Sequence, residues 1–379
     1  MRRRTLPALA LLAAAYAAQG WAEQRFNIEN TNFLLRQPNI DNTDAFIYDY
    51  DRLRLSAQWR EEGYFLTAIG DGVNYLGYDY VHSPDFVYVN KIRPDIPFQI
   101  NTDPQSYGPG VVYARIHRLY GGYEDDVQRM SAGIQKVSMG VGRIWTPTDL
   151  YNPKNSYALE PDEVYGVLAA TYAYALSDLS TLSGVASIRR DRSLKYAARY
   201  KGYVGFADFG IDYIRSDDTL MAGYEIEGNF FDTGAEWRSE GGYFKNDPLD
   251  AEFFQGIVGF DYGFENGITW AMEALYSSEI FTYAQMIANY DSEIINNMVQ
   301  SPFYVGTTLS YDFNLAWSGS LLYIESFKEG NSRFTAPTLT YTFNDHNTLS
   351  AGAMLNQGNE GSEFGAYGQT FYAKWVLSY

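Results

Sequence analysis

The sequence predicts an all-β chain closed into a transmembrane, antiparallel, up-and-down β-barrel of about 18 strands, with about 16 as the alternative. Three observations predict it. From residue 23 onward the chain reads as a series of short segments alternating apolar and polar residues, with no linker or shift of composition to divide it. Its connections alternate between short and long along nearly the whole length. It opens on an export segment, and no later apolar run is long enough to cross a bilayer as a helix.

The export segment consists of Arg2, Arg3 and Arg4, the apolar stretch Leu6 to Ala18, and the small-residue site Gly20-Trp21-Ala22. This is the pattern of a secretory signal peptide over residues 1–22, with cleavage after Ala22. Its apolar core falls short of the roughly 20 residues a spanning helix requires. The longest later candidate, Val167 to Leu176, contains Thr171, Tyr172 and Tyr174 and fits a transmembrane strand of about 9–11 residues. Residues 23–379 are therefore expected to form a single barrel domain.

Strands are expected near 24–35, 46–59, 64–76, 111–120, 127–140, 166–177, 180–189, 194–203, 206–215, 219–230, 235–244, 254–264, 267–277, 303–312, 316–326, 333–343, 347–357 and 370–379. Between Thr338 and Phe343, for example, Leu339, Tyr341 and Phe343 share one face. Short turns fall at Glu61-Glu62-Gly63, Ser177-Asp178-Leu179, Phe231 to Gly234, Phe264 to Gly267, Asp312-Phe313-Asn314 and Asn344 to Asn347. The longer loops are 77–110, 141–165, 245–253, 278–302 and 358–369. Short periplasmic turns and long extracellular loops are the asymmetry of outer-membrane barrels. Only the connection Gly121 to Asp126 is longer than its side predicts.

Composition agrees. The chain holds 34 Tyr, 23 Phe, 7 Trp and 34 Gly, an aromatic load suited to membrane interfaces, where the ring is apolar and the hydroxyl wet. Cys is absent, which removes disulfides, thiolate metal sites and thiol catalysis. The net charge is -18, and loss of the three signal arginines makes the mature chain more acidic still. That balance excludes a nucleic-acid footprint, which must be basic. It fits acidic surface loops or a pore that prefers cations.

The last nine residues place Phe371, Ala373, Trp375, Leu377 and Tyr379 on one face. This ending resembles the C-terminal targeting strand of bacterial outer-membrane barrels, whose assembly machinery reads a final aromatic residue and apolar residues at alternate positions before it. The resemblance implies residence in the outer membrane of a Gram-negative bacterium, with Phe371, Trp375, Leu377 and Tyr379 as the assembly signal. Lipid and the assembly machinery are then the expected partners.

If one face of each strand meets lipid, the other lines the lumen. Leu53, Leu55, Ala57 and Trp59 alternate with Arg52, Arg54, Ser56 and Gln58, and Val112, Ala114 and Ile116 with Tyr113, Arg115 and His117. Arg129 and Arg199 fall inward by the same logic, because a cation facing mid-membrane lipid costs about 2–4 kcal/mol. Arg52, Arg54, Arg115, Arg129 and Arg199 are thus expected to form a basic wall. Glu225, Glu227, Glu236 and Glu273 are expected to face it as acids, creating a transverse field. The pattern resembles the constriction of general diffusion porins.

The segment Gly142 to Asn155 is the most motif-like in the chain. Pro147 and Pro153 restrict its backbone, Thr148-Asp149 can bond to nearby amides, and Trp145 offers a packing anchor. Loop 141–165, with Arg143, Trp145, Asp149, Glu160, Asp162 and Glu163, is a candidate constriction that either folds toward the arginines or stands as a rigid extracellular loop. Residues 142–153 are also similar to stretches of poorly characterised porin-like barrels, some of which sheathe multihaem cytochromes.

The three histidines, His82, His117 and His346, have no ligand-spaced neighbours, so no metal site, cofactor or enzymatic activity is expected. Gly70-Asp71-Gly72 lacks the downstream lysine and hydroxyl of a P-loop. No dedicated plug domain is expected, because the first expected strand follows the export segment almost at once. The expected function is passive diffusion of small hydrophilic solutes or ions. Two other readings stay open: a sheath for a partner, as in a porin-cytochrome electron conduit, and a substrate-specific or polymer-export channel. A homotrimer is an open possibility as well.

Overall fold

The computed structural model describes residues 23–89, 93–328, 331–359 and 361–379, so the export segment lies outside the described residues. The first strands are β1 (Glu23–Pro38), β2 (Ala45–Glu61), β3 (Tyr64–Leu76), β4 (Gln105–Tyr107), β5 (Gly110–Glu124) and β6 (Gln128–Gln135). Next come β7 (Val167–Ser177), β8 (Ser180–Ile188), β9 (Leu194–Tyr203), β10 (Ala207–Arg215), β11 (Thr219–Asn229), β12 (Ala235–Asn246) and β13 (Ala251–Gly263). The series ends with β14 (Ile268–Ser277), β15 (Phe303–Asp312), β16 (Trp317–Ser326), β17 (Ser332–Asn344), β18 (Asn347–Gln357) and β19 (Thr370–Ser378).

Apart from the three-residue β4, each strand pairs antiparallel with its sequence neighbours, and β1 closes on β19 from Glu29 opposite Ser378 to Arg36 opposite Phe371. The closed wall therefore has 18 strands among the described residues. Closure leaves no free sheet edge in the membrane, where unpaired backbone groups could find no partner.

The pleat sorts the side chains as the alternation predicts. Leu53, Leu55, Ile211 and Val258 stand on the outer face, each at least 43% exposed. Near the short-turn end the outer surface carries aromatic pairs, Tyr64 with Tyr123, Tyr311 with Phe313 and Trp317 with Tyr341, ring centroids 4.7–5.1 Å apart. Such a girdle marks a membrane interface. Phe371, Trp375 and Tyr379 lie on this outer face of β19 with Leu377. The connection after β5 is shorter than expected, because the strand continues to Glu124 and the turn contains only Asp125 to Val127.

The strand expected over 127–140 forms only over Gln128–Gln135. It leaves the wall after Gln135, because Val137 and Met139 are buried in an apolar cluster inside the barrel with Leu150, Tyr151, Met221, Phe244 and Phe253. The gap beside the upper part of β5 is filled by residues 100–107, where β4 pairs with Val111 and Ile116 N donates to Ile100 O. A second interior cluster joins Ile144 and Trp145 to Ile257, Tyr304 and Phe334. A third holds residues 80–86 against Phe33, Leu35 and Tyr48, the Tyr48 and Tyr80 rings stacked 3.8 Å apart. The lumen is therefore not open water over its whole height.

Candidate pore constriction

Loop 136–166 enters the lumen and reaches opposite walls. Two buried wall carboxylates hold its backbone. Glu240 of β12 accepts from Val141 N at 2.7 Å, Gly142 N at 3.0 Å and Thr148 N at 2.8 Å, and from Thr148 Oγ1 at 2.7 Å. Glu273 of β14 accepts from the amides of Arg143, Ile144 and Trp145. Hydrogen bonds to a charged acceptor contribute about 1.5–3 kcal/mol each, so two side chains fix most of the turn. Gly140, at φ 83°, is required on two counts: its backbone is left-handed, and a Cβ would strike the Glu240 carboxylate. Gly306 of β15 leaves room for Trp145, whose ring would otherwise lie 2.8 Å from a Cβ.

The far end of the loop meets the arginines of β2 and β5. Arg52 lies 2.8 Å from Glu160 and 3.6 Å from Glu163. Arg54 bridges Asp71 at 2.7 Å and Glu163 at 2.6 Å, and Arg115 bridges the same two acids at 2.8 and 3.5 Å. Lys374 of β19 completes the set, 3.0 Å from Glu160. The arginine wall is thus matched by carboxylates and is not a bare cationic surface. Burial works against the Glu163 charge, but hydrogen bonds from Arg54 and the adjoining positive charges hold it below the ordinary glutamate range.

Asp71, His117 and Glu163 place potential ligand atoms within 4.8 Å of one another. Arg54 and Arg115 occupy the same carboxylates, so guanidinium charge already balances the trio. A cation entering there would face two fixed positive groups.

Several expected roles change. Arg129 shares the inward face but stands near the short-turn end, half exposed and 3.6 Å from Glu124, outside the arginine group of β2 and β5. Arg199 stands elsewhere on the wall, paired with Glu225 and 3.2 Å from Asp212. Glu225 and Glu273 point inward but are buried; the first is engaged by Arg199 and Lys201 and the second by the loop backbone. Glu236 is half exposed, 3.5 Å from Arg143, which also lies 3.3 Å from Asp261. Glu227 is partly buried on the same inner face.

Asp149 does not face the arginines. It is buried and accepts from the amides of Met139, Tyr151 and Asn152 at 2.8–3.0 Å, stapling the loop to itself. Asp162 is exposed, 3.7 Å from Lys154. Of the loop acids, Glu160 and Glu163 reach the wall.

The sequence reading missed Glu240, Asp71, Asp212, Arg238, Arg118 and Lys374. Glu240 and Arg238 alternate with Trp237 and Ser239, so the pleat already turned them inward. Arg118 was hidden by a bulge, since Ile69 pairs with Arg118 while Gly70 pairs with Ile116. The extra residue brings both His117 and Arg118 inside, where Arg118 donates to Val164 O at 2.7 Å.

No family model matches the chain, and no curated protein matches it. Solved structures do. OccAB1 of Acinetobacter baumannii aligns over 96% of this chain and 97% of its own, at 11% identity and a TM-score of 0.61. The outer-membrane protein OpdK of Pseudomonas aeruginosa aligns over 94% and 99%, at 9% identity and 0.60. The fold is that of the outer-membrane porins. OccK2 of Pseudomonas aeruginosa, solved in complex with glucuronate, is a third porin neighbour, at 10% identity and a TM-score of 0.57 over 94% of this chain and 97% of its own. At such identities the likeness concerns the porin fold and transfers no binding residue.

Proposed function

We propose that the chain is a channel of the Gram-negative outer membrane through which small hydrophilic solutes diffuse passively, with a bore set by loop 136–166. The observation that carries this reading is the clamping of that loop between Glu240 and Glu273 on one side and Arg52, Arg54 and Arg115 on the other. A wall-anchored loop narrows a pore without closing it, and cavities of about 870 and 810 Å3 remain beside it. Lipid and the barrel-assembly machinery are the partners this reading requires, and on it the protein catalyses no reaction.

The charges favour cations. The arginines nearest the loop are matched by Asp71, Glu160 and Glu163, while on β10–β13 the acids Asp212, Glu225, Glu227, Glu236 and Asp261 outnumber the cations beside them, Arg143, Arg199, Lys201 and Arg238. One neighbour was captured with glucuronate, a small solute, which favours small molecules over an exported polymer. The partner-sheath reading is disfavoured, because segments 136–166 and 278–302 fill the space a lumenal protein would need. Asn297 ties them together, donating to Pro147 O at 2.9 Å.

Swelling of liposomes carrying the purified barrel tests the proposal. Swelling in small sugars and amino acids, slowing as solute size rises, is expected. Liposomes that stay unswollen in the smallest solutes would overturn it.

A further inference from the structure

The lumen is divided by charge. The larger cavity is lined by ionised groups, among them Arg93, Asp95, Arg189, Lys195, Asp218 and Glu293. The cavity of about 810 Å3, on the other side of loop 136–166, is different. Tyr88, Tyr157, Tyr283 and Tyr367 line it with the amides of Gln37 and Asn296. Tyr283 and Tyr367 stand 46% and 40% exposed, ring centroids 6.1 Å apart at 75°, so their rings form a corner.

Among the described residues, its three charged side chains are already hydrogen-bonded. Glu363 accepts from Tyr304 and Ser326 at 2.7 Å, Lys154 donates to Arg143 O at 2.9 Å, and Asp85 accepts from Ile40 N at 2.8 Å. A volume of this size lies within the roughly 300–1,000 Å3 typical of small-molecule sites.

This cavity leads onward. It shares Ser156, Phe334 and Met354 with a cavity of about 270 Å3 whose lining, among the described residues, contains no charged side chain. There the wall of β15–β17 offers Thr308, Ser310, Ser320 and Thr338, the last 2.8 Å from the Tyr372 hydroxyl. An aromatic corner with side-chain amides thus opens onto a track of hydroxyls.

From this continuity we infer that the β15–β19 side of the lumen is a lane for a neutral saccharide, held first at Tyr283 and Tyr367. The inference deepens the channel reading and rests on it. A sugar ring offers an apolar C–H face to the tyrosines and hydroxyls to the amides, serines and threonines. Uncharged hydroxyls replace the water that such a solute sheds. A charged solute passing on to the hydroxyl track of β15–β17 would lose its hydration with no opposite charge to compensate.

The probes are glucose and glucuronate, which share a ring and differ by one carboxylate. Each is added to the reconstituted barrel in a planar bilayer, and separately to the detergent-solubilised barrel while its tryptophan fluorescence is followed, Trp145 lining the cavity. Glucose is expected to reduce the ion current and change the fluorescence at concentrations where glucuronate does neither. In Tyr283→Ala/Tyr367→Ala the half-blocking glucose concentration should rise about tenfold, equivalent to about 1.4 kcal/mol. Thr338→Val should weaken the block with less effect on the fluorescence.

Open channels that glucose leaves unblocked, or that glucuronate blocks equally, would overturn the lane. A barrel that never conducts but responds to glucose alone in fluorescence would keep the saccharide site while defeating the channel reading. Silence in both measurements would remove the site.

Discussion

Arg54 is 2.6 Å from Glu163, so a strand of the wall holds the far end of the loop that crosses the lumen. The same guanidinium also holds Asp71 on the neighbouring strand. Glu163 is therefore both a clamp and a counter-charge for the arginine wall. Replacing it with Gln keeps its shape and removes its charge, leaving Arg54 and Arg115 in excess. The expected outcome for Glu163→Gln is a reversal potential displaced toward anions, with about 1–3 kcal/mol less stability from the weakened charged hydrogen bonds. An unchanged reversal potential would mean that permeating ions do not pass this pair.

The sign of the pH dependence follows from the same contact. The folded state holds Glu163 below its ordinary value of 4.5, because Arg54 and the nearby charges outweigh burial. Such a group contributes stability that is complete above its unfolded value and is lost as the pH falls through the folded one. Conductance is therefore expected to change as the pH falls below 4.5 and the clamp protonates. Recordings across this range, repeated on Glu163→Gln, check it; the variant should lack that change.

Glu240 and Glu273 set the other end of the loop. Glu240→Gln and Glu273→Gln each exchange an acceptor-only carboxylate for an amide whose NH2 would face backbone N–H groups. Each is expected to cost about 2–4 kcal/mol in urea unfolding, since charged hydrogen bonds are lost and a donor meets donors. Single channels should become larger and noisier as the loop loosens. Quiet channels of wild-type size would show that apolar packing alone holds it.

The outer face makes an independent prediction. Leu55 is 54% exposed among the lipid-facing residues, whereas Thr340 faces the lumen on β17 and shares a hydrogen bond with Ser350 at 2.9 Å. Leu55→Arg should destabilise the barrel by about 2–4 kcal/mol, and Thr340→Arg far less, because only the first places a cation in hydrocarbon. Equilibrium refolding into vesicles distinguishes them.

Most of the wall was legible because a strand with lipid on one side must alternate, and that period is written in runs such as Leu53, Leu55 and Ala57. Lumenal folding was harder to read. Residues 136–140 continue an alternating pattern yet leave the sheet, because Val137 and Met139 find apolar partners inside the barrel. Arg52 and Arg54 were legible from the pleat, but their pairing with Glu160 and Glu163 depends on contacts made more than a hundred residues away, which no local period encodes. Asp149 and Glu273 look like lumen acids in sequence; only the fold shows that they are spent on backbone amides.

The central claim is a self-sufficient pore, narrowed by a loop and lined by an excess of acid. Its most direct test is single-channel recording of refolded Glu23 to Tyr379, alone in a planar bilayer under a salt gradient. The account predicts small, stable, ohmic steps with a reversal potential on the cation side. A folded barrel that stays closed, or wide steps with an anion-side reversal potential, would contradict it.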